Sequence, residues 1–234
     1  MLRAYLAALA MLGVWVLPGG PVAAADSDAL AEVLSRFDEV QESIHTLSAD
    51  FTEITENQLL KEPVVARGRF YMTKPDSVMW KYTSPESMQF IIAKDEYVGY
   101  FPTRKRAERR DIRRWREQIF RFFGLGQVSS ELMKTYEIRL EDSSMEKTYL
   151  LVLDPRKRRV KKRMESVRFW VDSLSFLPVK VEYRDKLGNT RVVQFRDIQV
   201  NPDLSAALYT LKIPSDVTVT TGFGGLQSLG SSSR

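Results

Sequence analysis

The chain contains one histidine, His45, and no cysteine in 234 residues. Thiol catalysis, cysteine-ligated metals and a disulfide framework are therefore excluded, and a histidine-dependent triad or metal cluster could use only His45. The adjacent carboxylates Asp95–Glu96 and Glu141–Asp142 are the visible acid–base pairs, but both stand between apolar runs, where turn residues belong. A glycosidase-like pair built from distant carboxylates stays open. The glycine clusters GLGQ (124–127) and GFGGLQSLG (222–230) lack the strand–glycine–helix context of a phosphate loop, and neither G-x-S-x-G nor H-E-x-x-H occurs. These residue types point away from an enzyme, and no cofactor or metal is expected.

Charge is the second chemistry on offer. From Arg104 to Arg116 there are eight basic and two acidic residues, and from Arg156 to Arg163 seven basic and none acidic. The first run contains Arg104, Lys105, Arg106, Arg109, Arg110, Arg113 and Arg114; the second contains Arg156, Lys157, Arg158, Arg159, Lys161, Lys162 and Arg163. The rest of the chain is net acidic, so these are two patches for docking onto something anionic, either a membrane surface or an acidic partner. Trp115 interleaves the first run in the manner of a nucleic-acid patch, but the export signal argues against nucleic acid.

That signal occupies residues 1–25. Arg3 precedes the apolar run Ala4–Leu17, which is short for a bilayer span, and Pro18–Pro21 end it. The small residues that follow fit cleavage after Ala25, with Ala24 nearly as good. The expected product is exported, soluble and monomeric, with one domain over 26–221 and a Gly/Ser-rich tail over 222–234.

The elements that must position these groups are mostly strands. Leu30, Val33, Leu34, Phe37, Val40, Ile44 and Leu47 form a helical stripe, capped by Asp26, Ser27 or Asp28, with His45 at its end as a boundary histidine. Short alternating runs then follow from SADFTEIT (48–55) to LYTLKI (208–213), separated by compact turns, and predict an antiparallel meander. A second amphipathic helix over 111–126 places Ile112, Trp115, Ile119, Phe122 and Phe123 on one face, and a shorter one at SSELMKTY is capped by Ser129 or Ser130. The stretch GRFYMTKPDSVMWKYTSPESMQFII (68–92) has an unusually bulky face: Phe70, Met72, Val78, Trp80, Tyr82, Met88, Phe90 and Ile92, with Lys74 on the same parity. An ordinary packed core and an apolar pocket use the same residues, so composition leaves both open.

The order of ADFTEI, GRFYMTKPDSVMWKYTSP and YVGYFP, followed by TYLLVLDP, VRFWVD, LPVKVEYRDKLGNTRVVQFRDIQVN and LYTLKIPSDVTV, closely resembles the LolA family, periplasmic carriers of outer-membrane lipoproteins in Gram-negative bacteria. The resemblance runs from about Ala29 to Val219. It implies a mainly β (α+β) fold: an incomplete antiparallel β-barrel, a curved sheet whose concave apolar cavity is covered by an α-helical lid. It implies a periplasmic carrier that takes acylated lipoproteins from an inner-membrane ABC lipoprotein-releasing transporter, shields their acyl chains and passes them to an outer-membrane acceptor lipoprotein. A shuttle or sensor for another lipid or glycolipid is the alternative. The implied acyl-chain pocket is Phe51, Phe70, Met72, Trp80, Tyr82, Phe90, Ile92, Leu151, Phe169, Val181 and Phe195, with Trp115, Ile119, Phe122 and Phe123 on the lid helix. In the family an arginine commonly stands at the position of Lys74 and hydrogen-bonds the lid. Lysine keeps the charge but loses the planar fork, so Lys74 is either a different latch or a side chain extending to water.

Overall fold

A computed structural model describes residues 22–58, 61–114 and 127–222. Among them, helix α1 (Val22–Ser43) leads into strands β1 (Thr46–Glu56), β2 (Val64–Thr73), β3 (Ser77–Ser84), β4 (Met88–Ala93), β5 (Glu96–Phe101) and β6 (Arg106–Asp111). A short helix α2 (Ser129–Met133) precedes β7 (Tyr136–Glu141) and β8 (Thr148–Pro155), and a one-turn helix α3 (Arg158–Lys161) joins β8 to β9 (Met164–Asp172). Then come β10 (Pro178–Asp185), β11 (Thr190–Val200) and β12 (Thr218–Thr221). The twelve strands make one sheet in the order β12-β6-β5-β4-β3-β2-β1-β11-β10-β9-β8-β7, with β12 and β7 at its two edges. The sheet is therefore not closed into a barrel. Among the described residues no helix is long and apolar enough to cross a membrane.

Alternation sorts the side chains onto two faces. Inward positions from β1 to β5 and β7 to β11 meet α1 in one buried cluster, which shows that the sheet is curved. Val33, Leu34 and Phe37 of α1 enter that cluster. The outer face carries a second cluster of Met79, Ile91 and Val98, covered by Tyr209, Leu211 and Ile213.

Several boundaries differ from the sequence expectation. Helix α1 begins at Val22, before the caps proposed at 26–28, and it ends at Ser43, so Leu47 belongs to β1. Arg106–Asp111 is a strand, and Asp111 ends it where a helix was expected to begin. The predicted strand 208–213 starts in a 3-10 turn, Ala206–Tyr209, and then packs across the sheet without joining it. The meander is antiparallel except at one edge, where β12 runs parallel to β6. In α2 the cap position is Val128, and Ser129 is the first helical residue. His45 is exposed and sits just past the end of α1, as its boundary reading requires.

Candidate functional site

The concave face is built around an aromatic row. Phe51 lies opposite Gly68, which lies opposite Tyr82. A Cβ on Gly68 would stand 2.7 Å from the Phe51 ring and 2.2 Å from the Lys81 carbonyl oxygen. Only glycine lets the Phe51 ring lie across β2 and reach β3. The ring then meets Trp80 edge-on at 4.8 Å and Tyr82 at 4.9 Å between centroids. The row extends one way through Phe70, 4.7 Å from Trp80, to Phe195, and the other way through Phe90, 5.6 Å from Tyr82, to Phe101.

The two ends of this row differ. Beneath α1, around Gln41, Ile44, Leu47 and Phe195, the space amounts to about 10 Å³, too little for a ligand. At the other end of the strands a cleft of about 500 Å³ opens, within the range of small-molecule sites. Tyr82, Phe90, Phe101, Met88 and Ala66 form its apolar floor, while Arg104, Glu86 and Arg106 stand at its exposed rim. Arg104 is held by a two-pronged pair with Glu86, at 3.0 and 2.7 Å. Arg106 Nη2 lies 2.7 Å from Oε1 of the buried Glu108.

An ion pair sits inside this apolar wall. Glu53 is buried, accepts a 2.9 Å hydrogen bond from the Tyr82 hydroxyl, and lies 3.2 Å from Nε of Arg191. That second contact is an ion pair without hydrogen-bond alignment. Burial, and then the Glu53 carboxylate, push the Tyr82 phenol well above its ordinary range.

At the closed end α1 is tied down twice. Lys74, in the β2–β3 turn, donates from Nζ to the Gln41 carbonyl in the last turn of α1. Its backbone N–H donates to the His45 carbonyl at 2.8 Å. Burial lowers the Lys74 ammonium from its ordinary range, partly opposed by Glu42. Further along α1, Asp38 accepts from the Ser129 backbone N–H and hydroxyl, both at 2.6 Å, which joins α1 to the start of α2.

This chain matches the family described as outer membrane lipoprotein carrier protein LolA over residues 42–212. It belongs to the LolA family. No curated protein matches it in sequence. Among solved structures, an uncharacterized conserved protein from Thermus thermophilus superposes with a TM-score of 0.54 at 12% identity, covering 83% of this chain and 99% of that one. A LolA superfamily protein from Nitrosomonas europaea is 14% identical, covers 77% of this chain and 97% of that one, and has a TM-score of 0.41. The Thermus likeness is one of fold.

In this LolA-family chain all eleven expected pocket residues are buried together in the concave cluster. Tyr82 and Phe90 line the open cleft, and Phe195 borders the small space under α1. Phe51, Phe70, Met72, Trp80, Ile92, Leu151, Phe169 and Val181 line neither space. Trp115, Ile119, Phe122 and Phe123 lie outside the described residues; the helix seen on the concave face is α1, and Ile112 is buried beside the sheet. Lys74, half-buried, donates its ammonium to that helix.

The two basic runs separate in kind. In the first, Arg104, Lys105, Arg106, Arg109 and Arg113 pair with Glu86, Asp216, Glu108, Glu96 and Asp111. Its charges also divide between the two ends of β6. The second run is exposed throughout, Val160 apart. Sequence reasoning passed over Glu53 and Arg191, although parity alone marks them: each is two or four residues from an inward phenylalanine, Phe51 or Phe195, on the same strand.

Proposed function

We propose that this chain is a periplasmic carrier that shields acyl chains of lipoproteins between the inner and outer membranes. Export by a cleaved signal over residues 1–25, loading by an inner-membrane ABC transporter and delivery to an outer-membrane acceptor complete that reading. The supporting observation is the aromatic row of a LolA-family sheet running without a break into an open cleft floored by Tyr82, Phe90 and Phe101. Each methylene moved out of water is worth about 0.8 kcal/mol, so one long chain carries roughly 11–12 kcal/mol. An aqueous crossing at that cost needs an escort with a continuous apolar surface. Aromatic and Met side chains give such a surface while tolerating different chain positions. No covalent step is required, so the carrier needs no catalytic group.

The cleft volume favours a second reading alongside the first. The 500 Å³ cleft is of the size that holds one small ligand, while the two or three chains of a lipoprotein call for more room than the 10 Å³ beneath α1. A shuttle or sensor for a single-chain lipid needs no such room. Purifying the protein without detergent and identifying co-purified molecules by mass spectrometry tests both. Acylated lipoproteins or their N-terminal peptides are the expected cargo; a free lipid alone supports the shuttle, and an empty protein that takes up no fluorescent fatty acid contradicts both.

A further inference from the structure

The hairpin between β8 and β9 is the strongest feature left without a role. It carries seven cations and no acidic residue between Arg156 and Arg163, and all seven are exposed. Among the described residues none of them pairs with an acidic side chain, in contrast to the ion-paired Arg104–Arg113 run. Seven exposed like charges repel one another, a state that an anionic surface relieves.

The cluster is held in place. Val160 and Lys161 donate their backbone N–H groups to the Lys157 carbonyl, both at 2.9 Å, and Val160 packs against the concave cluster. Arg156 donates its backbone N–H to the Thr135 carbonyl at 2.8 Å. The neighbouring β10–β11 turn is attached by Lys186 N–H to the Arg163 carbonyl at 3.2 Å. That turn presents Leu187, 68% exposed, just before Gly188, whose φ of +81° closes it. An apolar tip thus stands on the turn bonded to the end of the cationic run. Leu174 is more exposed still, but it lies at the opposite end of the strands beside Asp172.

This combination selects the partner. Single-stranded nucleic acid would call for aromatic stacking platforms, and the hairpin has none. An acidic protein face would need no exposed leucine. A bilayer interface uses both: cations near anionic headgroups and an apolar side chain entering the acyl boundary. Strand order adds direction. β8 ends, and β9 begins, at the same end of the sheet as the β3–β4 and β5–β6 turns that carry Glu86 and Arg104 at the cleft rim.

We propose that the Arg156–Arg163 hairpin and Leu187 form an interfacial anchor that docks this protein on an anionic lipid surface, with the cleft opening on the docked side. Each cation near such a surface contributes roughly fivefold to binding, and the contribution fades beyond about 10 Å at moderate salt.

Flotation of the full exported chain with phosphatidylcholine vesicles, with and without phosphatidylglycerol, tests this at low and high salt. Binding is expected only with phosphatidylglycerol, released by salt, and weakened at least about a hundredfold in R158E/R159E/K161E/K162E. Leu187→Asp should weaken binding several-fold without changing its salt dependence, and R113E/R114E at the other end should bind as the parent does. Equal binding to both vesicle types, an unaffected hairpin variant, or no vesicle binding at all overturns the proposal; the last outcome includes binding only to an acidic protein face. The salt titration of the unaltered chain makes the same test without a variant. Fatty-acid uptake measured in the same samples separates a failure of the carrier reading from a failure of the anchor.

Discussion

Gly68 shows how one absent side chain organises the concave face. With a methyl group there, the Phe51 ring and the Lys81 carbonyl would both have to retreat, so Gly68→Ala should cost about 1–3 kcal/mol. Urea unfolding measures this, and an unchanged midpoint would mean that the ring does not need that gap. The buried phenols give a second expectation. Burial pushes Tyr136 up to about 12 and Tyr82 well above its ordinary range. A raised folded-state value means that stability is fully present below about pH 10 and is lost as pH rises through the raised values. The share from Tyr136 is about 2–3 kcal/mol above pH 12. Unfolding at pH 8 and pH 11 should show the decline, and Tyr136→Phe should make it shallower, with Tyr82 keeping its share; an undiminished decline in that variant would place the effect elsewhere. Glu53 and Arg191 were legible in principle, because each is a charge on the inward parity of a run that also holds an inward phenylalanine. Their pairing across β1 and β11 was not, since it depends on which strands become neighbours.

At the scale of elements, α1 is the helix that covers the concave face, and polar ties hold it there. It is fixed to the sheet's turn by Lys74 at Gln41 and to α2 by Asp38 at Ser129. Lys74→Met should raise hydrogen exchange in the last turns of α1 and speed fatty-acid uptake, while Lys74→Arg, with its wider fork of donors, should slow both. Identical exchange in all three proteins would show that Lys74 holds nothing shut. The helix stripe and most strands were readable from period and parity, which are local properties. Strand β6 was not, because RAERRD puts Arg106 and Glu108 on its inward positions and pairs them with each other, so no apolar alternation appears. LYTLKI alternates faithfully, yet Tyr209, Leu211 and Ile213 use that alternation to cover Met79, Ile91 and Val98 without entering the sheet. Strand β12 exists only through its parallel pairing with β6, a non-local choice.

Across the whole molecule, the proposed function rests on an asymmetry between the ends of the sheet. One end is closed by α1 and Lys74; the other opens a cleft whose floor continues the aromatic row and whose rim is charged. The outer face buries its apolar residues in two clusters of its own: Met79, Ile91 and Val98 under the C-terminal segment, and Leu150, Val152 and Trp170, with Lys180 over the Trp170 ring. An acyl chain should therefore bind on the concave side alone. The direct test is photocrosslinking of the purified protein with a fatty acid carrying a diazirine near its methyl end, followed by mapping of the adducts by mass spectrometry. Adducts on Tyr82, Met88, Phe90 or Phe101 are predicted, with Phe51 and Trp80 joining them in Lys74→Met. Adducts confined to Met79, Tyr209 and Leu211, or spread evenly over the surface, would contradict the account.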